Sequence, residues 1–387
     1  MMKKALELAS VASMIDLFNM DNIKILKELG YHVDVACNFD FGSITSDTRV
    51  KEFKQELIDD KIGVFNIPIP RSIFKFIKII KSYKMVKSLC KENNYQIIHC
   101  HSPIGGVIAR LAARKSRKKG TKVIYTAHGF HFYEGAPLKN WIIYYPIEKV
   151  CSKLTDCLIT INKEDYKRAK EKFYAKEVEY VPGIGVHVEE IQNMSVDKKK
   201  LRAELGLSEN DFVIMSIGQI SARKNQKCII EALSRIDNPR IKYVIIGFGE
   251  LESELKNLAK RLKLDNRVVF AGYRKDAKAL LHCANLFAFP SLQEGLPASL
   301  MEAMAVGLPI VASNIRGNSD LIINGENGYL YNCYDSDAFS KGILTLFNDK
   351  KLCTEMSKKN KKIIRNFDCS QVQNLMKKIL GDEIIDI

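Results

Sequence analysis

Short, almost wholly apolar runs alternate along this chain with longer segments in which apolar side chains recur at helical spacing. In the first half the runs lie at Lys4 to Val11, His32 to Cys37, Ile97 to Cys100, Val123 to Thr126, Cys157 to Ile161 and Val178 to Val181. Runs of this kind suit strands covered on both faces. Asn22 to Gly30 sets Ile23, Ile25, Leu26 and Leu29 among Lys24, Lys27 and Glu28 and closes on Gly30, which predicts a first crossover helix with a glycine stop. The rhythm restarts after the turn-rich Val181 to Val186, with runs at Val213 to Gly218, Tyr243 to Gly247, Val268 to Gly272, Leu286 to Phe289, Ile310 to Ala312 and Gly328 to Leu330. Strand and helix in alternation predict an α/β chain of two doubly wound, Rossmann-like domains facing a central cleft. The expected spans are 1–185 and 186–366, with a closing helix over 367–387 packing back on the first domain. Ligands of such sheets lie beyond the carboxyl ends of the strands, so the residues after each strand are the candidates for chemistry.

A length of 387 residues fits two domains, and 46% hydrophobic with 27% charged residues fits a soluble globular protein. No apolar run reaches the roughly 18 residues that span a bilayer. Glu7 interrupts the apolar start of the chain, so Lys3 to Ala12 reads as a buried strand rather than a signal peptide. The 10 cysteines show neither Cys-x-x-Cys nor metal-ligand spacing, which predicts reduced core residues of a cytoplasmic protein. The net charge of +15 is uneven: residues 1 to 185 carry 31 Lys and Arg against 20 Asp and Glu. On charge alone that half faces nucleic acid, a membrane surface or a phosphorylated acceptor. Phe74 to Lys91 predicts a helix whose packed face holds Phe76, Ile79, Tyr83, Val86, Leu89 and Cys90, while Ile77 and Ile80 fall among Lys78, Lys81 and Lys84. Apolar residues inside a cationic face suit a helix lying on anionic lipid, the alternative being a solvated helix face. Arg110 to Gly120 extends the basic patch on this reading. The cations are mixed with aliphatic rather than aromatic side chains, which argues against nucleic acid.

The C-terminal half carries the strongest constellation. Glu294 and Glu302 flank Gly295-Leu296-Pro297-Ala298, a turn that opens a helix. Glu294 falls on the strand-to-helix loop and Glu302 one turn inside the helix, and the free N–H groups between them suit a diphosphate. Carboxylates accept from hydroxyls, as sugar rings offer. Gly218 ends a strand that runs into Arg223 and Lys224, a pair suited to a diphosphate leaving group. Gly247 would let a ligand approach the backbone, and at Tyr273 a nucleotide base would stack on the ring or bond to backbone groups. Asn314 to Asp320 either closes over phosphates or is a plain polar loop. In the first half, His128 follows the strand Val123 to Thr126 and would hydrogen-bond a sugar hydroxyl or a developing charge. His99 and His101 are expected on opposite faces of their strand, which argues against a metal pair.

These motifs resemble a retaining glycosyltransferase of family four, in the two-Rossmann-domain GT-B superfamily. The Glu294 to Glu302 motif carries the resemblance, with Arg223-Lys224-Asn225 and Asn324 to Leu330. Val11-Ala12-Ser13, Val35 to Asn38, His101 to Gly106, Thr126 to Tyr133 and Gly183 to Val186 resemble a branch that builds capsular and exopolysaccharide repeat units on a lipid carrier in bacteria. The resemblance implies a hexosyltransferase using a nucleotide sugar, UDP-linked, as co-substrate, with no metal or other cofactor. It implies a polyprenyl-diphosphate-linked saccharide acceptor, and with the basic half, a peripheral position on the inner face of the cell membrane. Glu294 would contact donor-sugar hydroxyls, Glu302 the ribose, Arg223 and Lys224 the diphosphate, and His128 the donor sugar. The chain departs from many members in having Ser13 to Asp16 in place of a Gly-Gly loop, and Gln219 in place of Arg. A nucleotide-sugar epimerase of the same fold is the alternative enzyme.

Overall fold

A computed structural model of the chain describes residues 2–41 and 45–381. It divides into two compact units, one running to Ile184 and resuming at Ser370, the other spanning Gly185–Cys369.

In the first unit seven strands form one parallel sheet: β1 (Lys3–Leu8), β2 (Tyr31–Cys37), β3 (Gly63–Asn66), β4 (Ile97–His101), β5 (Lys122–Ala127), β6 (Cys157–Thr160) and β7 (Glu177–Tyr180). Their order is β3-β2-β1-β4-β5-β6-β7, so the winding reverses between β1 and β4. Successive residues of each strand feed opposite faces. Ala5, Ile97 and Ile124 pack with Val372, Met376, Ile379 and Leu380 of the helix Cys369–Gly381, while Leu6, Ile98 and Val123 pack on the other side. Residues 382–387 of the expected closing helix lie outside the described residues.

The second unit holds six parallel strands: β8 (Phe212–Ile217), β9 (Ile241–Ile246), β10 (Val268–Gly272), β11 (Leu286–Phe289), β12 (Ile310–Ser313) and β13 (Tyr329–Tyr331). Their order β10-β9-β8-β11-β12-β13 reverses between β8 and β11. Both units are thus doubly wound, as the alternating pattern predicts.

Several local expectations change. β1 stops at Leu8, and Val11 instead caps a helix, Ala12–Phe18, that the sequence pattern did not single out. The expected crossover helix runs Met20–Glu28. β3 (Gly63–Asn66), which the sequence pattern did not single out, is an edge strand of four residues, none fully buried. The basic helix runs Phe76–Asn93. Val86, Leu89 and Cys90 are buried and Ile79 and Tyr83 half-buried as expected, but Phe76, in the first turn, is 65% exposed and joins Ile77 and Ile80 on the outer face. Arg110 does not belong to the basic surface. It is fully buried, its Nη2 donates to Glu148 at 2.8 Å, and its guanidinium lies 3.9 Å from the Tyr125 ring centre.

Candidate active site

In the second unit the two loops at the switch point between β8 and β11 are stitched together. Leu292 N–H donates to the Arg223 carbonyl at 2.8 Å, and Asn225 Nδ2 donates to the Pro290 and Cys333 carbonyls at 3.1 and 2.8 Å. That framework brings three of the expected residues into contact. Lys224 Nζ and Arg223 Nη1 donate to the same oxygen, Glu294 Oε1, at 2.8 and 2.9 Å. Arg223 Nη1 also reaches the Gln293 carbonyl at 2.9 Å. Glu294 Oε2 makes no hydrogen bond among the described residues. The cations differ in what they can offer a ligand. The Arg223 side chain is 47% exposed, whereas that of Lys224 is 13% exposed and its ammonium sits 4.6 Å from the Phe289 ring centre. Burial lowers the Lys224 pKa, with Glu294 opposing and Arg223 reinforcing the shift. The sequence reading gave these cations to a phosphate alone; here they balance Glu294, since a nearly buried carboxylate needs a partner.

The helix Ala298–Val306 begins directly after Pro297, which has no side-chain cap to give. The N–H groups of Ala298, Ser299 and Leu300 make no hydrogen bond to protein among the described residues. Gly295 and Leu296 form the turn before it, against which Gly317 packs so closely that a Cβ there would meet the Gly295 carbonyl at 2.3 Å. The Asn314 to Asp320 loop therefore lies on the Glu294 loop, and Arg316 Nε donates to the Glu294 carbonyl at 3.1 Å. Ser291 Oγ, Ser313 Oγ and Asn318 Oδ1, at or just beyond the ends of β11 and β12, are buried polar atoms without a hydrogen-bond partner among the described residues. Orphaned groups collected at strand ends beside an uncapped helix suit a polar ligand.

Glu302 stands apart from this cluster. The charges that act on it are Lys278 and Glu190, and burial, partly offset by Lys278, raises its pKa. Its carboxylate makes no hydrogen bond among the described residues. At Gly247 a Cβ would lie 2.0 Å from the Gly218 carbonyl, so the glycine permits two strand ends to touch. Gly218 has φ +149 and faces the Lys224 side chain. Tyr273 is 69% exposed and meets Phe248, also exposed, edge-on at 6.2 Å between ring centres.

The first unit concentrates its polar groups at its own switch point. His99 and His101 lie on the same face of β4, because residues two apart share a face; the expectation of opposite faces was wrong. Both rings bond Glu7 of β1, His99 Nδ1 to Oε1 and His101 Nε2 to Oε2, each at 2.9 Å. His101 Nδ1 lies 3.2 Å from His128 Nε2, and His99 Nε2 lies 2.8 Å from Thr126 Oγ1. The ligating atoms of Glu7, His99 and His101 fall within 4.8 Å of one another, but these hydrogen bonds already engage each of them. Sequence reasoning passed over Glu7; the signal was an acid inside an apolar strand. Nearby, Val11, Met14, Phe18, Ile73, Ile104 and Tyr144 line a cavity of about 360 Å³.

Known proteins resemble this chain in sequence and in fold. The profile for glycosyl transferases group 1 matches residues 197–363, and that for glycosyl transferase 4-like domains matches residues 7–162. EpsD of Bacillus subtilis, provisionally named a glycosyltransferase, is 38% identical over 95% of this chain and 93% of its own. The chain belongs to the group 1 glycosyltransferases. The UDP-Gal:α-D-GlcNAc-diphosphoundecaprenol α-1,3-galactosyltransferase of Escherichia coli is 30% identical over 86% of this glycosyltransferase and 87% of its own length. The crystal structure of Anabaena HepE with UDP superposes with a TM-score of 0.77 at 21% identity, covering 98% of this chain and all of that one, which gives the glycosyltransferase the GT-B fold. The comparisons lend the epimerase alternative no support.

Proposed function

We propose that this glycosyltransferase moves a hexose or N-acetylhexosamine from a UDP-linked donor to a lipid-linked saccharide, with retention at the anomeric carbon, in assembly of a capsular or exopolysaccharide repeat unit. The observation that carries the reading is the cluster of Lys224, Arg223 and Glu294 beside the uncapped start of Ala298–Val306. As the bond from anomeric carbon to phosphate breaks, its electrons pass to the leaving diphosphate. On this reading Lys224, Arg223 and the helix N–H groups stabilise that charge and so favour the transition state over the ground state, with no metal in the role. Glu294 Oε2 accepts from a donor-sugar hydroxyl, Glu302 from the ribose, and Tyr273 with Phe248 flanks the base. His128 contacts the donor sugar. The relatives' names support the donor and acceptor classes: the Escherichia coli enzyme is named for UDP-galactose and a diphosphoundecaprenol-linked sugar.

The first unit is the acceptor and membrane side of this reading, and its lined cavity is the acceptor site. Ile77 is 85% exposed, with Lys78, Lys81 and Lys84 also exposed around it. No helix among the described residues is long and apolar enough to cross a membrane. On this reading the exposed face of this helix docks peripherally on the cytoplasmic leaflet. Saturation-transfer NMR across UDP- and GDP-linked sugars tests the donor assignment. Signal from UDP-sugars and not from GDP-sugars, altered in Lys224→Ala, supports it; equal signal from both nucleotide classes overturns it.

A further inference from the structure

The proposed chemistry leaves Glu7 without a task, although it is fully buried beneath the strand ends of the first unit. Burial alone would raise its pKa, but the charge of His99 and hydrogen bonds from both rings outweigh that and hold it near 2. An anionic carboxylate only accepts, so His101 Nε2 must carry a proton. Burial, reinforced by His99 and opposed by Glu7, lowers His101 to about 4, so at neutral pH the ring carries that single proton and its Nδ1 is bare. The atom facing that bare nitrogen is His128 Nε2, at 3.2 Å. Two lone pairs would repel; the contact holds only if His128 Nε2 is the protonated nitrogen. Burial, with His101 and His99 adding to it, lowers His128 to about 3, so this ring is neutral as well. Its Nδ1 is then a lone pair with no hydrogen bond to protein among the described residues, on a ring that lines a cavity of about 40 Å³.

We propose that Glu7 and His101 are positioning residues that lock His128 in its Nε2–H tautomer and present Nδ1 as a hydrogen-bond acceptor for a substrate hydroxyl. The word substrate rests on the transferase reading; the tautomer does not. Of the two roles the sequence left open for His128, an accepting Nδ1 suits contact with a sugar hydroxyl and cannot donate to charge growing on the diphosphate. Thr126 steadies the far end of the chain through His99. The group recognised is a ring hydroxyl of the sugar, and a deoxy or O-methyl donor at that position leaves Nδ1 unpaired.

Two-bond proton–nitrogen correlation NMR on the full chain, labelled at histidine and free of ligand, reads the tautomer directly. His128, assigned by the signal lost in His128→Gln, is expected as Nε2–H with a bare Nδ1 at neutral pH. An Nδ1–H or doubly protonated ring overturns the proposal, and the tautomer itself is read on the unsubstituted protein. In His101→Phe the Nδ1–H form should become populated and kcat/KM should fall roughly tenfold, the scale of one hydrogen bond. An unchanged tautomer in that variant overturns the positioning role. A chain that shows the Nε2–H ring but transfers no sugar defeats the transferase reading and leaves the tautomer standing.

Discussion

Glu294→Gln separates the two tasks that the Lys224, Arg223 and Glu294 cluster is given. The substitution keeps shape and one acceptor oxygen while removing the negative charge. In the ligand-free protein Glu294 holds Lys224 at 2.8 Å. At an effective dielectric of about 20 that attraction is about 6 kcal/mol before desolvation is subtracted. An incoming diphosphate must share both cations with the carboxylate, so neutralising it should leave UDP binding unchanged or tighten it, by up to about tenfold, or 1.4 kcal/mol. Transfer should move the opposite way. Loss of the acceptor for a donor-sugar hydroxyl, and of the charge that sets both cations, should lower kcat by about 10² to 10³, as for other preorganised groups. Isothermal titration with UDP and a coupled UDP-release assay measure the two quantities on one preparation, with circular dichroism as the check on folding. A fall in UDP affinity of tenfold or more, or an unimpaired kcat, would refute the division of labour.

Lys224→Ala should weaken UDP by about 10- to 100-fold, the loss of one charge-assisted hydrogen bond, read by the same titration. Glu302 has a raised pKa in the folded protein. The folded state therefore binds more protons than the unfolded state above the ordinary carboxylate range, and stability falls as pH rises through that window. Glu302→Gln should accordingly raise Tm at neutral pH while weakening UDP about tenfold, and a Tm that drops contradicts it. Replacing Lys78, Lys81 and Lys84 by Gln should cost about 3 kcal/mol of binding to anionic vesicles, at about 1 kcal/mol each, measured by co-sedimentation at low salt. Equal sedimentation with neutral vesicles would remove the membrane role. Phe248→Ala should weaken UDP more than uridine-free diphosphate while leaving Tm in place, because the ring is exposed.

The doubly wound fold was readable because parallel strands buried on both faces leave apolar runs that survive without knowledge of their partners. Edge strand β3, four residues ending at Asn66 and none fully buried, left too short a run. The Glu294 to Glu302 spacing was legible as a strand-to-helix turn, since Pro297 and the helix formers after it fix where the helix starts. What the spacing did not carry is pairing: that Lys224 and Arg223 share one oxygen of Glu294 depends on β8 and β11 lying side by side although about 70 residues apart in sequence, which follows from sheet order. Phe76 and Arg110 show the same limit from the other side. Helical periodicity places Phe76 with the core residues but does not show that the first turn projects past its packing surface. Arg110 sits within a basic run yet is drawn inside by Glu148 and Tyr125. In the first unit, strand periodicity read correctly would have joined His99 with His101 and Thr126 with His128. Glu7 supplied the remaining clue, an acid that only a partnered site can bury.

The central claim is transfer from a nucleotide sugar to a lipid-linked acceptor, and mass spectrometry of the acceptor tests it most directly. Purified protein incubated with UDP-sugars and a polyprenyl-diphosphate-linked saccharide should lengthen that saccharide by one hexose or N-acetylhexosamine, with one UDP released for each. No lengthening with any donor, or a donor sugar isomerised while the acceptor stays intact, would contradict the account.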